Sequence, residues 1–77
     1  MFISITEYKN NGMQLTAFAT LKEANAHAYK FAQDYAYDEV KLGTLKDDVP
    51  YQAPEGFRYM STAMVIEIAV GQTVEIG

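Results

Sequence analysis

Alternating apolar and polar positions predict two strands at the start of the chain. Residues 2–9 are rich in β-branched and aromatic side chains, and Ile3 and Ile5 share one face of the predicted strand. Residues 13–19 repeat this pattern and are expected to form a second strand beside the first.

A tight turn is predicted between these strands. Asn11 and Gly12 can adopt the two positive φ angles of a type I′ turn, the preferred two-residue hairpin connection. The expected cross-strand pairs are Ile5–Phe18 and Tyr8–Leu15. This register makes the face of Ile3 and Ile5 the expected core side of the hairpin.

A helical period follows the hairpin. Thr20 fits an N-cap, and Glu23 fits the N3 position of a capping box. The apolar positions then recur on one helical face at Leu21, Ala24, Ala28, Phe31 and Tyr35. We expect a helix over residues 21–37, with Gly43 as a late stop.

The remainder of the chain predicts a long connection and a return to strand. Residues 43–56 hold both prolines and two glycines, a length typical of functional or mobile loops. Residues 57–70 return to strand character, and the run 63–70 is apolar on nearly both faces, which indicates a central strand. Residues 73–76 fit a short final strand.

This order of elements predicts a single α+β domain over residues 1–77. We expect a small antiparallel sheet of three to four strands (a β-hairpin, a helix, a long loop and one or two strands) with a single helix packed on one face. The face without the helix is expected to carry Phe2 or Tyr8, Leu15, Val65 and Val74. Either the long loop, a second copy or another protein would cover that face.

Composition supports a globular chain and excludes several chemistries. Hydrophobic residues make up 49% and charged residues 21% of the 77 positions. The absence of cysteine excludes disulfides, cysteine metal sites and thiol nucleophiles. Because a chain of this length buries a small core, self-association is a common source of extra stability.

Charge and hydropathy narrow the expected partners. Ten acidic residues against six scattered basic ones give a net charge of −4, which argues against binding a nucleic-acid backbone. No apolar run is long enough for a membrane span, and the N-terminus lacks the pattern of a signal peptide. We expect a cytoplasmic protein without a membrane or nucleic-acid partner, a cofactor or a metal.

Candidate chemistry concentrates on the helix and beyond it. His27, four residues after Glu23, is either a general base or an ordinary helical histidine. The acidic residues Asp34, Asp38 and Glu39 oppose the helix dipole, so they fit a cation site, a catalytic pair, a docking surface or simply a solvated face. Tyr29 and Tyr37 lie outside the apolar stripe and fit an interface.

These observations favour a non-enzymatic protein-binding or regulatory module that acts through self-association, as a homodimer, or through a partner protein. Its expected partner-binding residues are Tyr29, Tyr37, Asp34, Asp38 and Glu39. The alternative is a small-molecule-binding domain or minor enzyme with a pocket between sheet and loop, lined by His27, Tyr51 and Tyr59. A weaker alternative is an acidic decoy of a nucleic-acid-binding protein.

Overall fold

One helix packs on a three-stranded antiparallel sheet. The computed structural model describes residues 1–75, and its elements in chain order are β1 (Phe2–Glu7), β2 (Gln14–Phe18), α1 (Leu21–Tyr35) and β3 (Thr62–Glu67). The strands lie in the order β2-β1-β3. This architecture confirms the predicted α+β class.

No fourth strand forms within residues 1–75. Gln52 makes an isolated antiparallel bridge to Met64 on the outer edge of β3. Of the predicted final strand, residues 73–75 do not form a strand and Ile76 lies outside the described residues.

The hairpin turn lies two residues earlier than predicted. The Asn11 N–H donates to the Tyr8 carbonyl at 3.0 Å, and the two residues between them, Lys9 and Asn10, have φ angles of 48° and 58°. Positive φ at both central residues is typical of a type I′ turn. Gly12, predicted to lie within the turn, follows it with φ of 118°.

The register differs from the predicted one by three residues, because the turn lies two residues earlier and one extra residue lies between Asn11 and Gln14 on the β2 side. Leu15 pairs with Ile5, and Phe18 pairs with Phe2, so the predicted Ile5–Phe18 and Tyr8–Leu15 pairs are wrong. An odd shift moves a strand's side chains to the opposite face, because side chains alternate along a strand.

The helix therefore packs on the face that the sequence predicted to be open. Ala24, Ala28 and Ala32 of α1 are fully buried and form the core with Ala63 and Val65 of β3. Small alanine side chains allow the helix to approach the sheet closely. Phe2 of β1 and Phe18 of β2 pack on the edge of this core. Ile3 and Ile5, the predicted core side, point away from the helix.

The predicted helix start is confirmed, and its end lies two residues earlier than expected. Thr20 Oγ1 accepts the Glu23 N–H at 3.2 Å and donates to the Glu23 carboxylate at 2.8 Å. At the other end Ala36 is extended, with ψ of 152°. The Tyr37 N–H then donates to the Phe57 carbonyl at 3.1 Å, so a tertiary hydrogen bond replaces a further helical turn.

The long connection between α1 and β3 packs on the helix side of the sheet. Tyr51 and Phe57 are buried in the core, and Val40 and Leu42 pack against it. The expected strand at residues 57–61 is replaced by turns, in which the Ser61 N–H donates to the Arg58 carbonyl at 3.2 Å.

Asn25 joins this connection to the helix. It is 1% exposed, although it lies outside the predicted apolar stripe of the helix. Its Nδ2 donates to the carbonyls of Lys46 and Val49 at 2.9 and 2.8 Å, and its Oδ1 accepts the Tyr51 N–H at 2.8 Å. One side chain thus satisfies three backbone groups of the loop.

Candidate functional site

The sheet face away from the helix is largely apolar, and we call it the open face. It is built from alternate residues of the three strands: Ile3, Ile5 and Glu7 of β1, Leu15 and Ala17 of β2, and Thr62, Met64 and Ile66 of β3. Ile5 lies between Leu15 and Met64 and is fully buried, whereas Leu15 is 60% exposed. The Cα envelope measures 38 × 26 × 15 Å, and its 15 Å thickness fits one helix layer on one sheet layer.

The predicted partner-binding tyrosines occupy two different environments. Tyr29 is half-buried, and its ring packs edge-on against Tyr51 with the centroids 5.2 Å apart. Tyr37 is 45% exposed, and the Arg58 guanidinium carbon lies 4.6 Å from its ring centroid. Of the two, Tyr37 is the one that offers a large aromatic surface to solvent.

The predicted acidic surface is exposed but divided. Asp34 lies on α1 and pairs with Lys30 at 3.4 Å, with more than half of both side chains accessible. Asp38 and Glu39 lie in an exposed turn after the helix. Exposed ion pairs of this kind contribute little to stability, so these carboxylates remain available to a partner.

His27 is hydrogen-bonded to a buried serine. His27 Nδ1 and Ser4 Oγ are 2.8 Å apart, and the Phe18 ring packs against the imidazole with the centroids 5.2 Å apart. A serine next to a histidine can form a nucleophile, but Ser4 is 0% exposed and a substrate cannot reach its hydroxyl. The geometry indicates that this hydrogen bond holds α1 on β1 instead of activating a nucleophile.

The three residues predicted to line one pocket between sheet and loop are separated in the structure. A cavity of about 530 Å³ lies within residues 52–64, and Tyr59 lines it. Tyr51 instead lies in the core, with its hydroxyl donating to the Leu42 carbonyl at 2.7 Å. His27 lines a different cavity of about 360 Å³ between α1 and the hairpin.

Tertiary structure assembles a cationic and aromatic cluster that the sequence analysis missed. Arg58 Nη2 donates to the Tyr8 hydroxyl at 3.4 Å, and the Lys9 ammonium lies 5.3 Å from the Tyr8 ring centroid. Tyr8 also packs against Tyr35, with the centroids 4.7 Å apart. The Arg58 hydrogen bond and then the nearby Lys9 ammonium lower the pKa of the Tyr8 hydroxyl, because nearby cations favour the phenolate.

Arg58 carries an unusual polar atom. Its Nε is buried and has no hydrogen-bond partner among the described residues. Leaving such a donor unsatisfied costs about 1–3 kcal/mol, so an unpaired buried group needs an explanation. The only sequence signal for this site was that Arg58 is the single arginine of the chain.

Within residues 1–75, no group of three or more histidine or carboxylate side chains is arranged to hold a metal ion. No helix in the same range is long and apolar enough to cross a membrane.

The chain was also compared with known proteins. No protein-family model, no curated protein and no solved structure matches it. Its function therefore has to be inferred from the geometry of its own residues.

Proposed function

We propose that this chain is a non-enzymatic protein-binding module that self-associates through its open face. The supporting observation is a largely apolar sheet face opposite the helix, on which Leu15 is 60% exposed and Ala17 is also exposed. Contiguous exposed apolar patches on small proteins mark interaction sites. A cytoplasmic location and the absence of nucleic-acid and membrane partners remain parts of this proposal.

A second copy is the occupant that the surface area favours. The chain exposes 5354 Å², whereas a compact monomer of 8.6 kDa exposes about 4700 Å². The chain thus exposes about 650 Å² more surface than a compact monomer of its mass, and burial against a second copy would reduce this excess.

The composition of the open face also suits a second copy. Most of its residues are apolar, and its one carboxylate, Glu7, lies at the end of β1, so two copies can pack face to face with that charge at the rim. The exposed carboxylates Asp34, Asp38 and Glu39 lie on the helix and the turn that follows it, where they do not oppose each other across such an interface.

Matched leucine substitutions test this proposal. Leu15→Lys places a charge on the open face, whereas Leu45→Lys places the same charge on a loop residue that is 43% exposed. Sedimentation equilibrium over a range of concentrations should show a dimer for the wild type and for Leu45→Lys, and a monomer for Leu15→Lys. A wild type that stays monomeric at every concentration contradicts self-association, and an unchanged Leu15→Lys dimer contradicts the open face.

The cavity within residues 52–64 supports a second candidate function, the binding of a small molecule. Its volume of about 530 Å³ lies within the range of ligand sites. Tyr59, which is 68% exposed, supplies an aromatic surface at this cavity. A fragment library can be screened by NMR for molecules that shift the Tyr59 ring resonances. Fragments that do so in the wild type but do not bind Tyr59→Ala would support this candidate over a purely protein-binding role.

A further inference from the structure

Arg58 lies at a junction between the hairpin turn and residues 58–61, where part of the backbone is strained. The structure describes three non-glycine residues with positive φ, namely Lys9, Asn10 and Met60, and all three meet here. The Lys9 N–H donates to Ser61 Oγ at 2.9 Å, and the Asn10 N–H donates to the Met60 carbonyl at 3.0 Å. Such conformations persist where the surrounding structure fixes them, and they concentrate at functional sites.

The junction brings two positive charges to one tyrosine without a carboxylate to balance them. Lys9 and Arg58 lie 5.3 and 5.8 Å from the Tyr8 ring centroid. Within residues 1–75 neither cation forms a salt bridge, although the chain carries ten acidic residues. Stacking on Tyr37 positions the guanidinium, and its buried Nε lacks an acceptor.

We propose that Arg58, with Lys9 beside it, binds the carboxylate of a ligand. A planar guanidinium offers paired donors that match the two oxygens of a carboxylate, and here the terminal nitrogens supply them because Nε is buried. A single negative charge fits better than a phosphate dianion, because only two cations face it in a chain of net charge −4. The exposed Lys9 and the 45% exposed Tyr37 leave the cluster open to solvent.

The carboxylate has two sources, a free organic acid or an acidic side chain of another protein. Phenylacetate represents the first source, and a blocked Gly-Glu-Gly peptide represents the second. The uncharged controls are phenylacetamide and the matching Gly-Gln-Gly peptide. Inorganic phosphate tests whether the site prefers a ligand with a single negative charge. All five probes are compared on the intact chain.

The single arginine makes the test specific. The Nε–H of Arg58 gives one resonance in a ¹⁵N-correlated NMR spectrum, and a bound carboxylate should shift it saturably, together with the amides of Lys9 and Ser61. The uncharged controls should leave it in place. Tighter binding of the peptide than of phenylacetate identifies a protein source, and the reverse order identifies a small molecule.

Substitutions distinguish the contribution of the guanidinium group to ligand affinity from the contribution of positive charge alone. Arg58→Lys keeps the charge but loses the paired donors, so affinity should fall about fivefold or more. Lys9→Gln should weaken binding about two- to threefold with the fold intact, because that side chain is exposed. Lys22→Gln, on an exposed position of α1, is the control and should change nothing.

Several outcomes overturn the proposal. They are an Nε–H resonance that no carboxylate shifts, equal shifts with the uncharged controls, or a phosphate that binds more tightly than the carboxylates. If Arg58→Lys proves unfolded, as judged by the dispersion of its amide spectrum, the affinity of Lys9→Gln for the carboxylate probes is used instead. An unchanged affinity in that variant then overturns the proposal. Because this site lies outside the open face, the proposed dimer and the carboxylate site can fail independently.

Discussion

Asn25→Ala tests whether one buried amide holds the long connection onto the helix. Asn25 makes three hydrogen bonds to loop backbone groups, two through Nδ2 and one through Oδ1. Each is worth about 1 kcal/mol net, and the alanine side chain can replace none of them. Alanine is the better helix former, which returns up to about 0.7 kcal/mol.

The expected net loss is therefore about 2–3 kcal/mol in the free energy of unfolding. That is a large share for a chain of this length, for which a total of about 4–12 kcal/mol is typical. The corresponding fall in Tm is about 10–20 °C for a domain of this size. The Tyr51 amide, which loses its acceptor, should exchange with solvent faster than the amides of the strands.

Urea denaturation at one protein concentration measures the loss in the free energy of unfolding, and native-state hydrogen exchange measures the rate at the Tyr51 amide. A single concentration matters because self-association would make stability depend on it. Gln33→Ala, on an exposed position of the same helix, is the control and should stay within about 0.5 kcal/mol of the wild type. A loss below about 1 kcal/mol for Asn25→Ala, or unchanged Tyr51 exchange, would refute the assigned role.

The remaining predictions concern the helix cap, one buried tyrosine and the acidic surface. Thr20→Ala removes the acceptor for the Glu23 N–H and should cost about 1 kcal/mol, measured by urea denaturation; an unchanged midpoint would contradict a stabilising cap. Burial and then Tyr29 raise the pKa of the Tyr51 hydroxyl, so the folded chain keeps that proton at pH values where the unfolded chain releases it. The resulting stability is fully present below the ordinary tyrosine pKa and is lost as pH rises through the raised pKa, and Tyr51→Phe should flatten this alkaline decline. Asp34→Asn should change stability by less than about 0.5 kcal/mol, because its partner lysine is 75% exposed; a larger loss would show that the pair is structural.

The hairpin shows how a correct local pattern produced a wrong register. The two strands were predicted from alternation, and both formed. The sequence Asn11-Gly12 is a strong signal for a type I′ turn, yet Lys9 and Asn10 occupy the turn instead. The Lys9 and Asn10 N–H groups bond to Ser61 and Met60, about fifty residues away, and no local preference contains that information.

The choice of sheet face depended on the same error. Both faces of β1 contain residues suited to a core, and the sequence pattern favoured Ile3 and Ile5 over Ser4 and Thr6. In the fold, Ser4 and Thr6 lie under the helix at 0% and 3% exposure, and Ser4 bonds to His27 there. Buried hydroxyls are tolerated where a partner satisfies them, which hydrophobicity alone does not indicate.

The candidate sites were predictable to different degrees. An apolar sheet face opposite the helix followed from a single helix on a small sheet; Leu15 was assigned to it correctly, whereas Phe2 and Val65 lie on the helix side. The exposure of Asp38 and Glu39 followed from their charge. The roles of Asn25 and Arg58 did not, because each depends on partners more than twenty residues away.

The sequence by itself determined the elements of this protein: two alternating strands, a capped alanine-rich helix and a final apolar strand. These elements follow from short-range physics, namely side-chain periodicity, cap hydrogen bonds and the conformational limits of proline. Only the tertiary structure decided which sheet face meets the helix, where the turn lies and which side chains surround Arg58. Those outcomes depend on contacts between distant segments, whose energies are settled only when the whole chain packs.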